Sequence, residues 1–193
     1  MTDWTTFPSR RVGPSTSLFR IHQEIHHPAW FSSDGSWRFD PLPAYRTRFG
    51  TCYLGLEALS SYVEVFGRIR TVPETEIQRR MVSLLTPVAD LSIADLINRS
   101  VLGDFGVTAA HSTGSDYAPA QTLAANLFDA GFDGILYRVR HDPAMELEAI
   151  ALFGEPGETP RRLSPPKTDP ISPELIDAGR VFHIEVVPSI ALP

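Results

Sequence analysis

Three arginines and one glutamate in the first third of the sequence are residue types that bind and act on an anionic ligand. Arg20 interrupts an apolar run, and Arg38 lies between two aromatic residues. A guanidinium flanked by bulky apolar side chains is costly to bury unless a counter-charge reaches it, and a phosphate or carboxylate is its usual partner. Together with Arg48 and Glu64, these residues predict a pocket for an anion.

A carboxylate, an aromatic ring and several guanidinium groups are the parts that cleavage of an N-glycosidic bond in a dinucleotide would use. Arginines neutralise the diphosphate, the ring stacks on the leaving base, and the carboxylate stabilises the cationic sugar that develops. Tyr53 supplies a ring just before the helix that carries Glu64. The alternative for Glu64 is an ordinary solvated carboxylate on a helix surface.

Short elements are predicted to position these residues. The pattern favours a strand over residues 17–22, which carries the first arginine, and a long loop over 23–50, which is rich in aromatic residues and broken by proline and glycine. A short strand at 51–55 is followed by helical spacing over 56–69. At about 100° per residue, Glu64 falls away from the apolar side of that helix.

The rest of the chain is predicted to alternate short elements with loops. The first elements are a β-like stretch over 80–92 broken at Pro87, a short helix at 93–102 and a small-residue loop at 106–116. A helix at 118–130, closed by Gly131, is followed by strands at 134–140 and 147–153. A proline-rich surface connection at 154–173 then leads to a short helix begun by Ser172 and Pro173 and to a strand at 181–187. Short strands with two or three helices between them predict a single α+β domain.

Composition excludes several classes of protein. A chain of 193 residues with 42% apolar residues can bury one sizeable core. The net charge of −6, with no run of Lys or Arg longer than a pair, argues against a nucleic-acid surface. The single cysteine, Cys52, precludes an internal disulfide and fits a reducing compartment. No apolar segment suits a signal peptide or a membrane span, so we expect a cytoplasmic protein without membrane contact.

Other candidate sites have ordinary interpretations. Of the six histidines, only His22 and His26 are spaced like ligands on a helix, in a stretch that ends at a proline, so no metal site is predicted. The serines and threonine of residues 112–115 precede a helix without a Walker or Rossmann pattern, which favours a plain helix-entry loop. Trp37 is explained by core packing unless Arg38 beside it binds a ligand.

Several blocks of the sequence resemble the RES domain, a family named for characteristic Arg, Glu and Ser residues. They are SWRFDP at 36–41, RFGTCYLGLEALSSYVEVFG at 48–67, FDGILYRVRHDP at 132–143 and AIALF at 149–153. The resemblance covers roughly residues 18–153, and the order and spacing of the blocks make it fairly specific. It divides the chain into an N-terminal arm (1–16), a RES-like catalytic domain (17–155) and a C-terminal extension packed on that domain (156–193).

The resemblance implies an NAD-degrading enzyme whose fold is related to that of ADP-ribosyltransferases. Such enzymes are often toxins that pair with an Xre-like DNA-binding antitoxin. Carried over by position, Arg20 and Arg38 would grip the diphosphate or ribose, Tyr53 would pack against nicotinamide, and Glu64 would orient the ribose. The further residues counted as substrate-binding are Arg48, Trp37 and Tyr137.

One position departs from the family pattern. The family serine corresponds to Val139, whose side chain neither donates nor accepts a hydrogen bond. A hydroxyl from residues 112–115 would have to replace it, or the pocket would bind a nucleotide with little turnover. On the second hypothesis the protein is a nucleotide-binding module, and Val139→Ser should not raise its turnover.

The leading hypothesis is cleavage of NAD⁺ at the nicotinamide–ribose bond, with water or inorganic phosphate as acceptor. NAD⁺ is then a substrate and no cofactor or metal is required, which fits the absence of a glycine-rich dinucleotide fingerprint. A third hypothesis is an ADP-ribosyltransferase that modifies a macromolecule. The expected partners are NAD⁺ and an Xre-like antitoxin, and the sequence leaves open whether the chain forms a homo-oligomer.

Overall fold

An eight-stranded mixed sheet forms the centre of the protein, and the longer helices pack on one of its faces. The computed structural model describes residues 2–158 and 160–189. Residue 1 of the predicted arm, and residues 159 and 190–193 of the predicted C-terminal extension, lie outside the described residues. Within the described ranges, no helix combines the length and apolar character needed to cross a membrane.

Twelve strands and six α-helices are present in the described ranges. The strands are β1 (Ser9–Val12), β2 (Leu18–Gln23), β3 (Trp30–Phe31), β4 (Gly50–Gly55), β5 (Thr71–Pro73), β6 (Arg80–Leu85), β7 (Leu91–Asp95), β8 (Gly134–Arg138), β9 (Glu148–Gly154), β10 (Gly157–Glu158), β11 (Lys167–Pro170) and β12 (Glu185–Val187). The helices are α1 (Ala58–Phe66), α2 (Glu74–Gln78), α3 (Val101–Asp104), α4 (Ala109–Thr113), α5 (Ala118–Asp129) and α6 (Pro173–Gly179).

The strand order of the large sheet is β1-β7-β8-β9-β4-β2-β6-β11. Neighbouring strands are antiparallel except for β7 and β8, which run parallel. Two small pairs, β10 with β3 and β12 with β5, lie outside this sheet. The prediction of a single domain of short mixed strands and a few helices is therefore confirmed.

Alternation along the central strands divides the apolar residues between two core clusters. Ile135 and Ala151 belong to the cluster beneath the helices, whereas Leu136 and Ile150 belong to the cluster on the opposite face. Successive side chains of a strand point to opposite faces, so β8 and β9 are buried on both sides. Tyr53 on β4 contacts the cluster beneath the helices. This placement brings the tyrosines of the central strands under α1.

The two longest helices form where the sequence predicts them. In α1, Tyr62, Val63 and Phe66 are buried on one side, and the helix packs across β2 and α6. Helix α5 buries small and apolar residues against β8 and ends just before Gly131, whose φ of +90° provides the left-handed conformation expected after a helix C-terminus. Ser172 caps α6 by accepting a hydrogen bond from the backbone N–H of Leu175, as predicted.

Some predicted elements differ from the observed ones. The helix predicted over 93–102 is wrong, because the apolar residues at 91–95 form β7 beside the centre of the sheet and helix α3 starts only at residue 101. Apolar periodicity over such a short run does not separate a buried strand from a buried helix. The predicted loop at 106–116 contains α4, which Thr108 and His111 begin with a capping box.

Two segments that were predicted to lack regular structure contribute strands to the edges of the large sheet. The segment predicted as a surface arm supplies β1, which pairs with β7 at one edge of the sheet and buries Val12. The proline-rich segment predicted as an extended connection contains β11, which pairs with β6 at the other edge. Prolines are tolerated at a sheet edge, where fewer N–H groups are needed for pairing.

Gly134 should tolerate no side chain, because β8 and β9 approach closely there. An added Cβ would lie 2.6 Å from the carbonyl oxygen of Ala151. We expect Gly134→Ala to lower the free energy of unfolding by about 2 kcal/mol, measured by urea denaturation. Gly103→Ala is the matched control, since nothing lies within 4 Å of its added Cβ, and it should be neutral or slightly stabilising. Equal stabilities of the two variants would contradict this packing.

Candidate functional site

A cavity of about 700 Å³ opens beside α1, bordered by β2, β4 and the loop before α5. Six of the seven residues that the sequence predicts for the site line this cavity: Arg20, Trp37, Arg38, Tyr53, Glu64 and Tyr137. They come from two strands at the centre of the sheet, from β2, from α1 and from the loop before β4. The sequence therefore identified residues that are far apart along the chain and adjacent in the fold.

Glu64 provides the one carboxylate among the described residues that line this cavity. Its Oε1 accepts a hydrogen bond from the Tyr137 hydroxyl at 3.3 Å, and its buried Oε2 has no hydrogen-bond partner within the described ranges. Burial raises the pKa of Glu64, whereas the Tyr137 hydrogen bond and the charges of Arg38 and Arg140 act in the opposite direction. The free oxygen can accept a hydrogen bond from a ligand.

Arg38 is a nearly buried cation, 8% exposed, that forms no ion pair with any residue of the described ranges. Its Nη1 donates to the carbonyl oxygen of Gly114 at 3.0 Å, and its guanidinium carbon lies 4.9 Å from the ring centre of Tyr117. Burial lowers the pKa of Arg38, and the nearby Arg140 adds to this effect. An anion in the cavity would supply the direct ion pair that none of the described residues makes with Arg38.

Two tyrosines form an aromatic wall of the cavity. The rings of Tyr53 and Tyr137 meet edge to face with their centres 6.5 Å apart. The Tyr53 hydroxyl accepts from the backbone N–H of Phe39 at 2.9 Å and donates to Oδ1 of Asp40 at 3.1 Å. Burial raises the pKa of both tyrosines well above the ordinary value, so both remain neutral phenols at neutral pH.

Arg20 borders the cavity and also holds the neighbouring loop. Its Nη1 donates to the backbone carbonyl oxygens of Pro28 and Trp30 and approaches Sγ of the buried Cys52. These bonds attach the segment before β3 to strand β2. Trp37 lies at the rim of the cavity, where its side chain is 52% exposed.

Arg48 is the predicted site residue that the structure does not bring to this cavity. It pairs with Asp129 at 2.7 Å, and its guanidinium carbon lies 4.8 Å from the ring centre of Tyr45. It lines a separate cavity of about 320 Å³ instead. The residue follows a 3-10 turn at Pro43–Tyr45, and its ion pair joins it to the last residue of α5. A long loop gives no periodicity from which this placement could be predicted.

The cavity is also lined by basic residues that were not predicted from the sequence. They are Arg68, Arg80, Arg140 and His141. Arg68 follows Glu64 by four residues, a spacing that places side chains on the same side of a helix and could have identified it. Burial and the surrounding arginines lower the pKa of His141, which favours its neutral form.

Val139, the position at which the family has its serine, does not line the cavity. It is fully buried in the core cluster beneath the helices, and its backbone N–H donates to the carbonyl oxygen of Leu147. The serines that do line the cavity are Ser112 and Ser115. Ser112 of α4 and Ser115 of the loop before α5 therefore place hydroxyl-bearing residues at the cavity independently of position 139.

The charge in the cavity is opposite to that of the whole chain. Among the described residues, five arginines line it, namely Arg20, Arg38, Arg68, Arg80 and Arg140, against the single carboxylate of Glu64. The chain carries a net charge of −6. A concave surface with this excess of positive charge favours an anionic ligand. No group of three or more His, Cys, Asp or Glu side chains in the described part of the chain could hold a metal ion.

Comparison with known proteins gives two results. A family model described as the RES domain matches residues 17–171. The fold is similar to a chain in the crystal structure of the M. tuberculosis MbcT–MbcA toxin–antitoxin complex, with a TM-score of 0.66 and 16% sequence identity. The similarity covers 89% of this chain and 92% of that chain. No curated protein is a significant match to the sequence.

The buried carboxyl of Asp40 should make stability fall with rising pH. Burial, with a smaller contribution from Asp34, raises the pKa of Asp40 to about 6, while bonds from Trp37 and Tyr53 oppose the shift. Because the pKa of Asp40 is raised, its protonated carboxyl stabilises the folded state relative to the unfolded state. This contribution is fully present below the ordinary pKa of an aspartate and is lost as pH rises through about 6. Between pH 4.5 and 7.5, wild type should lose about 2 kcal/mol of unfolding free energy relative to Asp40→Asn.

Urea denaturation at a series of pH values measures this difference. Asp90→Asn is the control, because the hydrogen bond from Arg11 lowers the pKa of Asp90, so its contribution to stability is complete above the ordinary pKa and should stay nearly constant between pH 4.5 and 7.5. Parallel pH profiles for wild type and Asp40→Asn would show that Asp40 does not titrate as described.

Proposed function

The chain belongs to the RES domain family, and we propose that it cleaves NAD⁺ at the nicotinamide–ribose bond and acts as the toxin of a toxin–antitoxin pair. The observation that carries this proposal is Glu64, a carboxylate with a buried unpartnered oxygen in a cavity lined by five arginines. The volume of about 700 Å³ suits a dinucleotide-sized ligand.

The proposed reaction begins with departure of nicotinamide. The bond between the ribose anomeric carbon and the pyridinium nitrogen breaks, and its electron pair neutralises the leaving nicotinamide. The ribose then carries oxocarbenium character, which the negative charge of Glu64 stabilises. Hydrogen bonding from Tyr137 leaves Oε1 of Glu64 fixed and Oε2 available for a ribose hydroxyl.

The other cavity residues bind the two ends of the substrate. Arg38 and Arg140 are near enough to influence the pKa of Glu64, so a diphosphate that they bind would lie beside the reacting sugar. The rings of Tyr53 and Tyr137 form an apolar wall for nicotinamide. Trp37 at the rim offers an aromatic face to the second base.

The acceptor is water or inorganic phosphate. Attack of water on the anomeric carbon gives ADP-ribose and a proton, whereas attack of phosphate gives the 1-phosphate of ADP-ribose. Five arginines exceed the two negative charges of the NAD⁺ diphosphate, which supports an additional anion in the cavity. The reaction requires neither a metal nor a resident cofactor.

The hypothesis of a weak nucleotide-binding module rests on Val139, and that side chain does not line the cavity. No observation among the described residues favours it over the enzyme. Transfer of ADP-ribose to a macromolecule breaks the same bond. A label on the ADP-ribose group would then appear on the macromolecule, whereas after hydrolysis or phosphorolysis it stays on a small molecule.

The proposed partner is an antitoxin that binds over the cavity. A similar fold occurs in a toxin–antitoxin complex, and the rim of the cavity carries the exposed apolar side chains of Trp37 and Ile69. An Xre-like antitoxin and action on cytoplasmic NAD⁺ follow from the family resemblance.

Release of nicotinamide from NAD⁺ tests the proposed activity. We expect the wild-type protein to release nicotinamide, and Glu64→Gln to lower the rate by a factor on the order of 10² or more, because it removes the charge that stabilises the transition state. Chromatography with and without phosphate identifies the co-product. Glu57→Gln is the matched control, since Glu57 is exposed, precedes the same helix and lies outside the cavity. Unchanged release by Glu64→Gln would overturn the proposal.

Substitutions at Val139 and at the pair Ser112 and Ser115 test which residue supplies the hydroxyl. Val139→Ser should leave the rate of nicotinamide release unimproved and should lower the free energy of unfolding by about 1–3 kcal/mol, because it places a hydroxyl in an apolar core. Ser112→Ala combined with Ser115→Ala should lower the rate without a comparable loss of stability. A higher rate in Val139→Ser would show that position 139 does act in the site.

A further inference from the structure

Residues 35–40, here called the Arg38 turn, are held by two side chains that lie outside the cavity. Arg38 donates a hydrogen bond to the carbonyl oxygen of Gly114 and has no ion pair within the described ranges. The position of its guanidinium therefore depends on the backbone that carries it.

Asp40 holds the turn from the side of the sheet. The residue is fully buried, and its Oδ2 accepts from the backbone N–H of Trp37 at 3.1 Å and from Oγ of Ser32 at 3.3 Å. Its Oδ1 accepts from the Tyr53 hydroxyl at 3.1 Å, and that hydroxyl accepts from the backbone N–H of Phe39 at 2.9 Å. One carboxylate thus links the backbone on both sides of Arg38 to the aromatic wall of the cavity.

Gln121 holds the same turn from α5. Its Nε2 donates to the carbonyl oxygens of Gly35 and Trp37 at 3.0 and 3.1 Å. Helix α5 directly follows the loop that carries Ser115 and the Tyr117 ring on which Arg38 rests. Gln121 therefore fixes the Arg38 turn relative to the loop that supplies the other wall of the cavity.

We propose that Asp40 and Gln121 are positioning residues that fix the Arg38 guanidinium for binding the diphosphate of the substrate. Neither side chain lines the cavity in the described part of the chain, so both act through the turn. The identity of the substrate in this inference rests on the proposed function, whereas the positioning of Arg38 does not.

Steady-state kinetics with NAD⁺ separate positioning from a purely structural role. Asp40→Ala leaves the N–H of Trp37 and the hydroxyl of Tyr53 without their acceptor, and should raise KM and lower kcat so that kcat/KM falls on the order of 10²-fold. Asp40→Asn should restore most of this loss, because its carbonyl can accept from Trp37 and its amide can donate to the Tyr53 oxygen.

Gln121→Met keeps the length of the side chain and removes both bonds to the turn. We expect it to raise KM about tenfold with a smaller change in kcat, since Tyr53 and Glu64 are not disturbed. Gln78→Met, an exposed residue of α2 outside the cavity, is the matched control. Asp133→Ala controls for loss of a carboxylate that accepts a backbone N–H elsewhere in the sheet.

A spectroscopic measurement tests the positioning without any activity. In protein labelled with ¹⁵N-arginine, the side-chain N–H signal of Arg38, assigned with Arg38→Lys, should be displaced by the Tyr117 ring beneath it. The signal should move towards that of exposed arginines in Asp40→Ala and Gln121→Met, and stay in place in Asp40→Asn.

The outcomes distinguish this inference from the proposed function. A folded Asp40→Ala or Gln121→Met protein with an unchanged Arg38 signal overturns the positioning role. If Asp40→Ala does not fold, Gln121→Met decides. If wild type releases no nicotinamide while the Arg38 signal moves as described, the proposed function fails and the positioning of Arg38 stands.

Discussion

The hydrogen bond from Tyr137 to Glu64 joins the central sheet to the helix that covers it, and the candidate site is built around this contact. Strand alternation places Tyr137 of β8 and Tyr53 of β4 beneath α1. The apolar side of α1 fixes the helix on the sheet and leaves Glu64 facing the cavity. Burial then leaves one carboxylate oxygen without a partner. The packing of α1 on the sheet thus leaves a carboxylate oxygen of Glu64 available to a ligand.

The second constraint is electrostatic. Five arginines around one carboxylate would repel one another in an empty cavity, and the buried Arg38 has no acidic partner within the described ranges. Contacts with the Gly114 carbonyl and the Tyr117 ring stabilise that guanidinium only in part. The arrangement is costly without a ligand and favourable with a polyanion, which is typical of a binding site.

Periodic sequence patterns predicted much of this arrangement. The orientation of side chains in loops could not be predicted, because loops have no period. Helical spacing placed Glu64 off the apolar side of α1, and an arginine between aromatic residues identified Arg38. Arg48 lines a different cavity from the other predicted site residues, which its position in a long loop without periodicity could not show. A helix was also predicted over residues 93–102, but the apolar residues at the beginning of this segment belong to strand β7. The sequence block that contains Val139 could not show that this side chain is buried in the core.

The most direct test of the central claim is calorimetric titration of Glu64→Gln protein with NAD⁺ and with nicotinamide riboside. The riboside carries the same base and sugar but lacks the diphosphate and the adenosine, so it reaches position 64 and the tyrosines but not the arginines that would bind the phosphates. If the cationic cavity binds the dinucleotide, NAD⁺ should bind at least about a hundredfold more tightly, because charge-assisted hydrogen bonds to the phosphates are lost in the riboside. Equal affinities, or no binding of NAD⁺, would contradict the account.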